Sequence, residues 1–333
     1  LRITRSWRLE WHTGELLERV AREAVELLDL ERGVVFLTEG GELHARQVWP
    51  EIDSDSEAAL DPARAIAEQV TRNGRPLFAH DVSSSPGASG EDGDVGVVFC
   101  VPLSSGRGVL GALYVDARRS PGGLGRRDQE LLEMLGLQAA AALEHMLLYR
   151  SAITDPLTGL FTHRYFQQQV DQEIRRARRL GGSVCLLLMD LDEFKELNDS
   201  RGHEAGNQFL IRLAGAIRGA VRESDVVARF GGDEFELLLP ETDAEGGRLV
   251  AEKVREATLK ANAPEDPRVT ASLGVASYPR NAEDAQGLFF CADESLYAAK
   301  DAGRDRVKVS DHSRPAEPEP ESRRGEPAAE AGR

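Results

Sequence analysis

Two short stretches concentrate residues able to do chemistry. Met189-Asp190-Leu191-Asp192 ends an apolar run in two acids, and Arg229-Phe230-Gly231-Gly232-Asp233-Glu234-Phe235 sets two glycines directly before two more. Strand ends are where a sheet presents ligands, because the packed core stops there. The glycines permit a left-handed turn and close approach by a ligand. If the two strands are neighbours, Asp190 and Asp233 face each other at one edge. Carboxylates brought together repel, and a cation relieves them. Hard oxygen donors with no His or Cys beside them select Mg²⁺ or Mn²⁺. Two such ions ~3.5–4 Å apart are a common apparatus for in-line phosphoryl transfer. Taken singly, an Asp-x-Asp is a cap or turn and a Gly-Gly is a turn; together they are far more specific.

The surrounding elements must place these residues. Ser183–Met189 is a continuous apolar run short enough for a buried strand. Val226–Phe230 and Phe235–Leu239 form a hairpin around Gly231–Glu234. Helices over Arg164–Leu180, His203–Val221, Asp243–Lys260 and Ala282–Ala302 alternate with strands at Val269–Val275 and Arg306–Ser310. Asp311–Arg333 mixes Pro, Glu, Arg and Ala without apolar spacing and is expected to be a disordered tail.

Ahead of this unit, residues 1–125 read as a mixed α/β domain. A helix carries Leu16, Leu17, Val20, Ala24, Leu27 and Leu28, and Gly33–Thr38 and Glu42–Trp49 form a hairpin. Pro62–Gly74 is helical, Asp81–Gly96 is a Ser/Gly-rich loop, and strands Val97–Leu103 and Val109–Val115 flank a turn. A helix over 126–153 then leads into the second unit. Its Leu132, Leu135, Ala139, Ala142, Met146, Tyr149 and Ile153 repeat at spacings of 3 and 4. That pattern is a heptad seam for a dimer coil, or equally the apolar face of one helix packed on its own domain.

Composition narrows the function classes. The 333 residues suffice for two or three domains, and 41% hydrophobic content supports real cores. Lys plus Arg total 41 against 57 acids, a net charge of −16, which repels nucleic acid and anionic membranes. Val95–Leu103, the longest apolar run, is far below the ~18–20 residues of a membrane span. No secretory leader is expected, and the opening Leu1 leaves room for an upstream segment. Cys100, Cys185 and Cys291 are odd in number, scattered and set in apolar stretches, so buried thiols in a reducing, cytoplasmic setting are expected.

Asp155-Pro156-Leu157-Thr158-Gly159-Leu160, MDLDEFKELND, RGHEAGN, RFGGDEF and LYAAKDAGR, in that order over residues 154–310, resemble a GGDEF domain of the diguanylate cyclase family. The order of elements in the first half, with FCVPL and GALYVD, resembles a GAF domain, a small-molecule sensor module. The fold class implied is mixed α/β (α+β): a GAF-like antiparallel sheet with helices, a linker helix, and a central sheet similar to nucleotidyl cyclases and polymerase palms. The resemblance implies condensation of two GTP into cyclic di-GMP and pyrophosphate by a homodimer, each half-site holding one GTP.

Carried over residue by residue, the resemblance makes Asp190, Asp233 and the Leu191 carbonyl the Mg²⁺ ligands, with Glu234 assisting the attacking 3′-hydroxyl. Lys195, Lys300 and Arg304 match the triphosphate grip, and Lys300 and Arg304 share a helix face if the helix persists that far. Gly231 and Gly232 border the nucleotide. Phe194 lies beside it in the family, or is core. Asn198 and Asn207 contact guanine; the family usually has Asp where Asn207 stands. An amide offers one acceptor and one donor where a carboxylate accepts twice, so some mixed cyclic GMP–AMP product is one expectation, and guanine binding restored by water or a rotated amide is the other. Arg222 and Asp225 match the RxxD product-inhibition site, with Lys253 where the family often has Arg. Cys100 is followed by Val101 rather than His, which argues against a bilin, and the GAF ligand is unassigned. The rival expectation is a catalytically silent module that binds cyclic di-GMP through Arg222 and Asp225.

Overall fold

A computed structural model describes residues 8–50, 60–80, 96–118, 125–263 and 267–312. The chain divides into two compact units, Leu1–Ala152 and Ile153–Arg333. The loop expected over Asp81–Gly96, except Gly96, and the tail beyond His312 lie outside the described residues.

The first unit runs α1 (Arg8–Leu28), β1 (Arg32–Glu39), β2 (Glu42–Trp49), α2 (Asp61–Asn73), β3 (Leu77–His80), β4 (Val97–Ser105), β5 (Gly108–Ala117) and α3 (Arg126–Ile153). Its antiparallel sheet has the order β2-β1-β5-β4-β3. Strand alternation divides two cores. Val35, Phe99, Val101 and Leu113 join Leu17, Val20 and Leu132 of α1 and α3; Val34, Phe36, Cys100 and Tyr114 join Ala63, Ala67 and Val70 of α2. The sequence pattern passes over β3, whose four residues are too few to show a period.

The heptad expectation for α3 is corrected in part. Leu132, Ala139 and Leu143 are buried in the first unit's own core with Leu135 packed against it, so the front of the expected seam is already occupied. A β-carbon at Gly136 would stand 2.9 Å from a methyl of Val101, which shows how closely α3 approaches the sheet. The large apolar side chains left exposed are Met134, Leu137, Leu147, Leu148 and Tyr149. Among the described residues α3 is the one helix long and apolar enough to cross a membrane.

The second unit runs β6 (Phe161–Thr162), α4 (His163–Leu180), β7 (Val184–Asp192), α5 (Phe194–Arg201), α6 (His203–Ala220), β8 (Val226–Gly231), β9 (Glu234–Pro240), α7 (Ala244–Ala261), β10 (Thr270–Tyr278), α8 (Ala285–Asp301) and β11 (Val307–Val309). The six strands take the order β11-β10-β7-β9-β8-β6. Cys185, Leu187, Met189 and Leu191 of β7 and Phe235, Leu237 and Leu239 of β9 face the core beneath α5, α6 and α7. Helices α4 and α8 pack on the sheet as well. On β10 the alternation is plain: Gly274 meets the α8 backbone, while Val275 meets α7 at Gly247.

Two elements escape the sequence pattern. Helix α5 is short and largely polar, and β6 has two residues. Strand β7 also runs beyond Met189 to Asp192, because β10 pairs with it to the end, Thr270 opposite Asp192. The Thr270 and Ser272 hydroxyls each donate to the buried Asp192 carboxylate at 2.8 Å, which satisfies a charge that would otherwise end the strand.

Candidate active site

Strands β7 and β9 are antiparallel inner neighbours, with Met189 opposite Phe235 and Asp190 opposite Glu234. The acids therefore meet at the end of the sheet's middle, not at a sheet edge as the sequence expectation has it. The Leu191 amide donates to the Asp233 carbonyl at 3.2 Å, which docks the hairpin tip on the end of β7. Gly232 turns at φ +56° and nothing lies within 4 Å of a β-carbon placed at Gly231 or Gly232. The tip is thus open to a ligand, and the left-handed turn favours glycine at 232.

The electrostatics are those of crowded carboxylates. Burial raises the Asp190 carboxyl above its usual range, with Asp233 and Asp192 adding to the rise, while Lys300 Nζ, 2.8 Å away, opposes it. Burial also raises Glu234, and Asp190 and Asp233 push it further. Among the described residues no three His, Cys, Asp or Glu side chains stand close enough to enclose an ion unaided. The candidate donors at the tip are oxygen only, the carboxylates of Asp190 and Asp233 and a backbone carbonyl, which fits a hard divalent ion completed by ligand oxygens.

On the opposite side of the β7 end, α5 begins after Glu193, which adopts φ +63°. Gly206 on α6 makes a close packing point: a β-carbon there would fall 2.0 Å from Asn198 Oδ1 and 3.1 Å from the Phe194 ring. Glycine therefore lets α5 and α6 touch and brings Asn198 beside the turn of α6 that carries Asn207.

Residues 152–306 match the sequence model of the family described as diguanylate cyclase, GGDEF domain, and residues 13–145 match the GAF domain. Residues 152–306 are a GGDEF domain and residues 13–145 a GAF domain. The chain is similar to diguanylate cyclase DgcP of Pseudomonas aeruginosa, 42% identical over 166 residues, which are 48% of this chain and 24% of that protein. Diguanylate cyclase A of Treponema denticola is 31% identical over 224 residues, 65% of this chain and 60% of that one. The chain thus spans less than two thirds of either relative. A solved structure of the coiled coil and GGDEF domain of DgcB from Caulobacter crescentus, in complex with c-di-GMP, superposes with a TM-score of 0.51 at 26% identity, covering 56% of this chain and all of that one.

Within the GGDEF domain the expected site residues fall into three groups. Asp190, Asp233, Glu234 and Lys300 converge at the hairpin tip. Arg304 joins them by a different route from the one expected: α8 ends at Asp301, so Lys300 and Arg304 do not share a helix face. Arg304 instead takes φ +58° in the following turn and brings Nε to 3.9 Å from Asp192. Phe194 is buried in the core, its ring 6.0 Å from Phe209, and Lys195 beside it is exposed. The third group is Arg222 and Asp225, together with Lys253, which is exposed on α7. Asp225 is only 4% exposed, and its carboxylate accepts from the Arg222 backbone amide at 2.8 Å. It holds the turn into β8, and Arg222 is the exposed member of the pair.

Two functional arrangements were not singled out from the sequence. Arg229 donates through Nη2 and Nε to the Gly232 carbonyl at 2.7 and 3.1 Å, and its Nη1 lies 3.3 Å from Asp155. It ties the glycine turn to the first loop of the domain. Both residues lie inside quoted motifs, but nothing in their spacing says that they meet. The second is Glu236, 3% exposed on β9, whose oxygens lie 2.9 and 3.0 Å from His163 Nδ1. Its signal is an acid interrupting the apolar run Phe235-Glu236-Leu237-Leu238-Leu239.

Proposed function

We propose that this chain is a diguanylate cyclase, condensing two GTP into cyclic di-GMP with release of two pyrophosphates under control of the GAF domain. The observation that carries the reading is the β7–β9 register, which sets Asp190 against Glu234 beside an open glycine turn, with Lys300 paired to Asp190. Asp190, Asp233 and the Leu191 carbonyl would hold Mg²⁺ or Mn²⁺, which supplies neutralising charge to the phosphates. Lys195, Lys300 and Arg304 bind the triphosphate. Glu234 orients the 3′-hydroxyl and accepts its proton; burial and like charge raise its proton affinity toward that task. Each 3′-oxygen bonds to the α-phosphorus of the facing GTP as the bond to the β-phosphate oxygen breaks.

A two-fold product needs two half-sites, so the unit that reacts is a homodimer. With Leu132, Ala139 and Leu143 committed to their own core, the face of α3 left for a second copy carries Met134, Leu137 and Leu148. Asn198 and Asn207 contact the base, and the Asn207 amide relaxes discrimination against adenine. Arg222 and Lys253 bind product as feedback inhibitors, with Asp225 shaping the turn.

Purified protein incubated with GTP and Mg²⁺ tests the proposal, with pyrophosphate and the nucleotide product assayed together. Cyclic di-GMP and pyrophosphate in a 1:2 ratio, lost in Asp233→Asn, are expected. Tight cyclic di-GMP binding without any pyrophosphate release would refute catalysis.

A further inference from the structure

A cavity of about 350 Å³ opens beside the hairpin tip, between the sheet and helices α4 and α8. It is at the small end of the range for ligand sites. Its walls are aromatic, with Phe230, Phe289 and the His163 ring, and His163 and Phe230 meet edge to face at 4.4 Å. Its polar lining is one-sided: Glu234, Glu236 and Asp293 contribute carboxylates, and among the described residues neither Lys nor Arg lines it. Glu236 is the telling residue. At 3% exposure its carboxylate receives one donor, His163 Nδ1, although a carboxylate accepts at about four positions. Burial raises the Glu236 carboxyl above its usual range while His163 opposes the rise, so holding it ionised calls for further donors.

The chemistry of these walls selects a class. Three carboxylates repel anions. A bare metal ion is too small, because no three of the acids stand close enough to enclose one. A neutral aromatic molecule would leave the carboxylates unanswered. An ammonium or guanidinium on a short aliphatic stem answers both features: the cation meets Glu236, Glu234 and Asp293, and the stem and charge lie against aromatic faces. We propose that this cavity is a binding site for a small organic cation, a primary amine or guanidine, distinct from the nucleotide site but sharing Glu234 with it. Phe230 directly precedes the Gly231–Gly232 turn, so an occupant that pairs with Glu234 withdraws it from the 3′-hydroxyl and slows turnover. This consequence rests on the cyclase reading; binding itself does not.

Calorimetry of the full chain without nucleotide tests the site, with 1,4-diaminobutane and agmatine as probes and 1,4-butanediol as the neutral control. One site per chain is expected, with a Kd of about 0.1–1 mM, modest as befits so few atoms, weakening as salt rises. Asp293→Asn, an exposed position on α8, should weaken binding about three- to fivefold. Histidine ring resonances of His163 should shift on titration, a readout that needs no variant. No heat up to about 10 mM, equal binding of butanediol, or an affinity indifferent to both Asp293→Asn and salt would overturn the site. Saturable binding with unaltered turnover of an active enzyme would overturn the link to Glu234 while leaving the site.

Discussion

Arg229→Met keeps the aliphatic stem of the side chain and removes all its donors. Two bonds to the Gly232 carbonyl, at 2.7 and 3.1 Å, and the 3.3 Å pair with Asp155 are then lost. A bond from a charged donor is worth ~1.5–3 kcal/mol when buried, and an exposed ion pair ~0–1 kcal/mol. With side-chain exposures of 13% and 20% the arrangement sits between these limits, for a total of ~2–3 kcal/mol. That energy holds the glycine turn over Asp190, so its loss lowers the population of seated hairpins. Turnover should fall by about 10–100-fold, and the Tm of the unit by roughly 5–10 °C.

Solution pH gives the same interaction an independent signature. Burial alone would raise Asp155, but the Thr158 hydroxyl and amide, with Arg229 beside them, hold it below its usual value. A depressed folded-state pKa stabilises above the unfolded value of about 3.9, and that contribution is lost as pH falls through the folded value. The Tm gap between wild type and Arg229→Met should therefore narrow below about pH 4. Differential scanning fluorimetry and a coupled pyrophosphate assay read both effects, and Asp155→Asn completes a double-mutant cycle. Turnover within twofold of wild type at unchanged Tm, or additivity of the two substitutions within ~0.5 kcal/mol, would refute the strut.

Gly206→Ala places a β-carbon 2.0 Å from Asn198 Oδ1, so the KM for GTP should rise about tenfold with a smaller change in kcat, measured by steady-state kinetics. Asn207→Asp should tighten base choice, giving less mixed product than the wild type when GTP and ATP are supplied equally; an unchanged product ratio on chromatography would count against base contact there. Glu234→Gln removes a carboxylate whose folded-state pKa is raised by burial and by Asp190 and Asp233. Such a group's stabilising contribution is complete below the unfolded value and lost as pH rises through the folded one, so the variant should melt above wild type at pH 7.5, match it near pH 4, and be inactive. Leu137→Glu with Leu148→Glu charges two exposed positions of α3; sedimentation should show monomers, with turnover down more than about tenfold and GTP binding intact.

Much of the site was legible before any coordinates, because its chemistry is local. An apolar strand that stops in acids, and two glycines before two more, are readable from residue types alone, as are helices whose apolar residues repeat on one face. The tertiary structure decided what distant segments do to one another. It set Glu234, not Asp233, opposite Asp190, because register depends on both strands of a pair. It ended α8 at Asp301 and brought Arg304 to Asp192 through a left-handed turn. It buried Asp225 as a turn anchor, and it joined Arg229 to Asp155 across 74 positions. The helix α3 shows the same limit from the other side: its 3-4 spacing determines that one stripe is apolar, but only packing reveals that the front of the stripe, Leu132, Leu135 and Ala139, is spent on its own domain while Tyr149 stays exposed. Periodicity reports which side chains must leave water; it carries no information about which partner covers them.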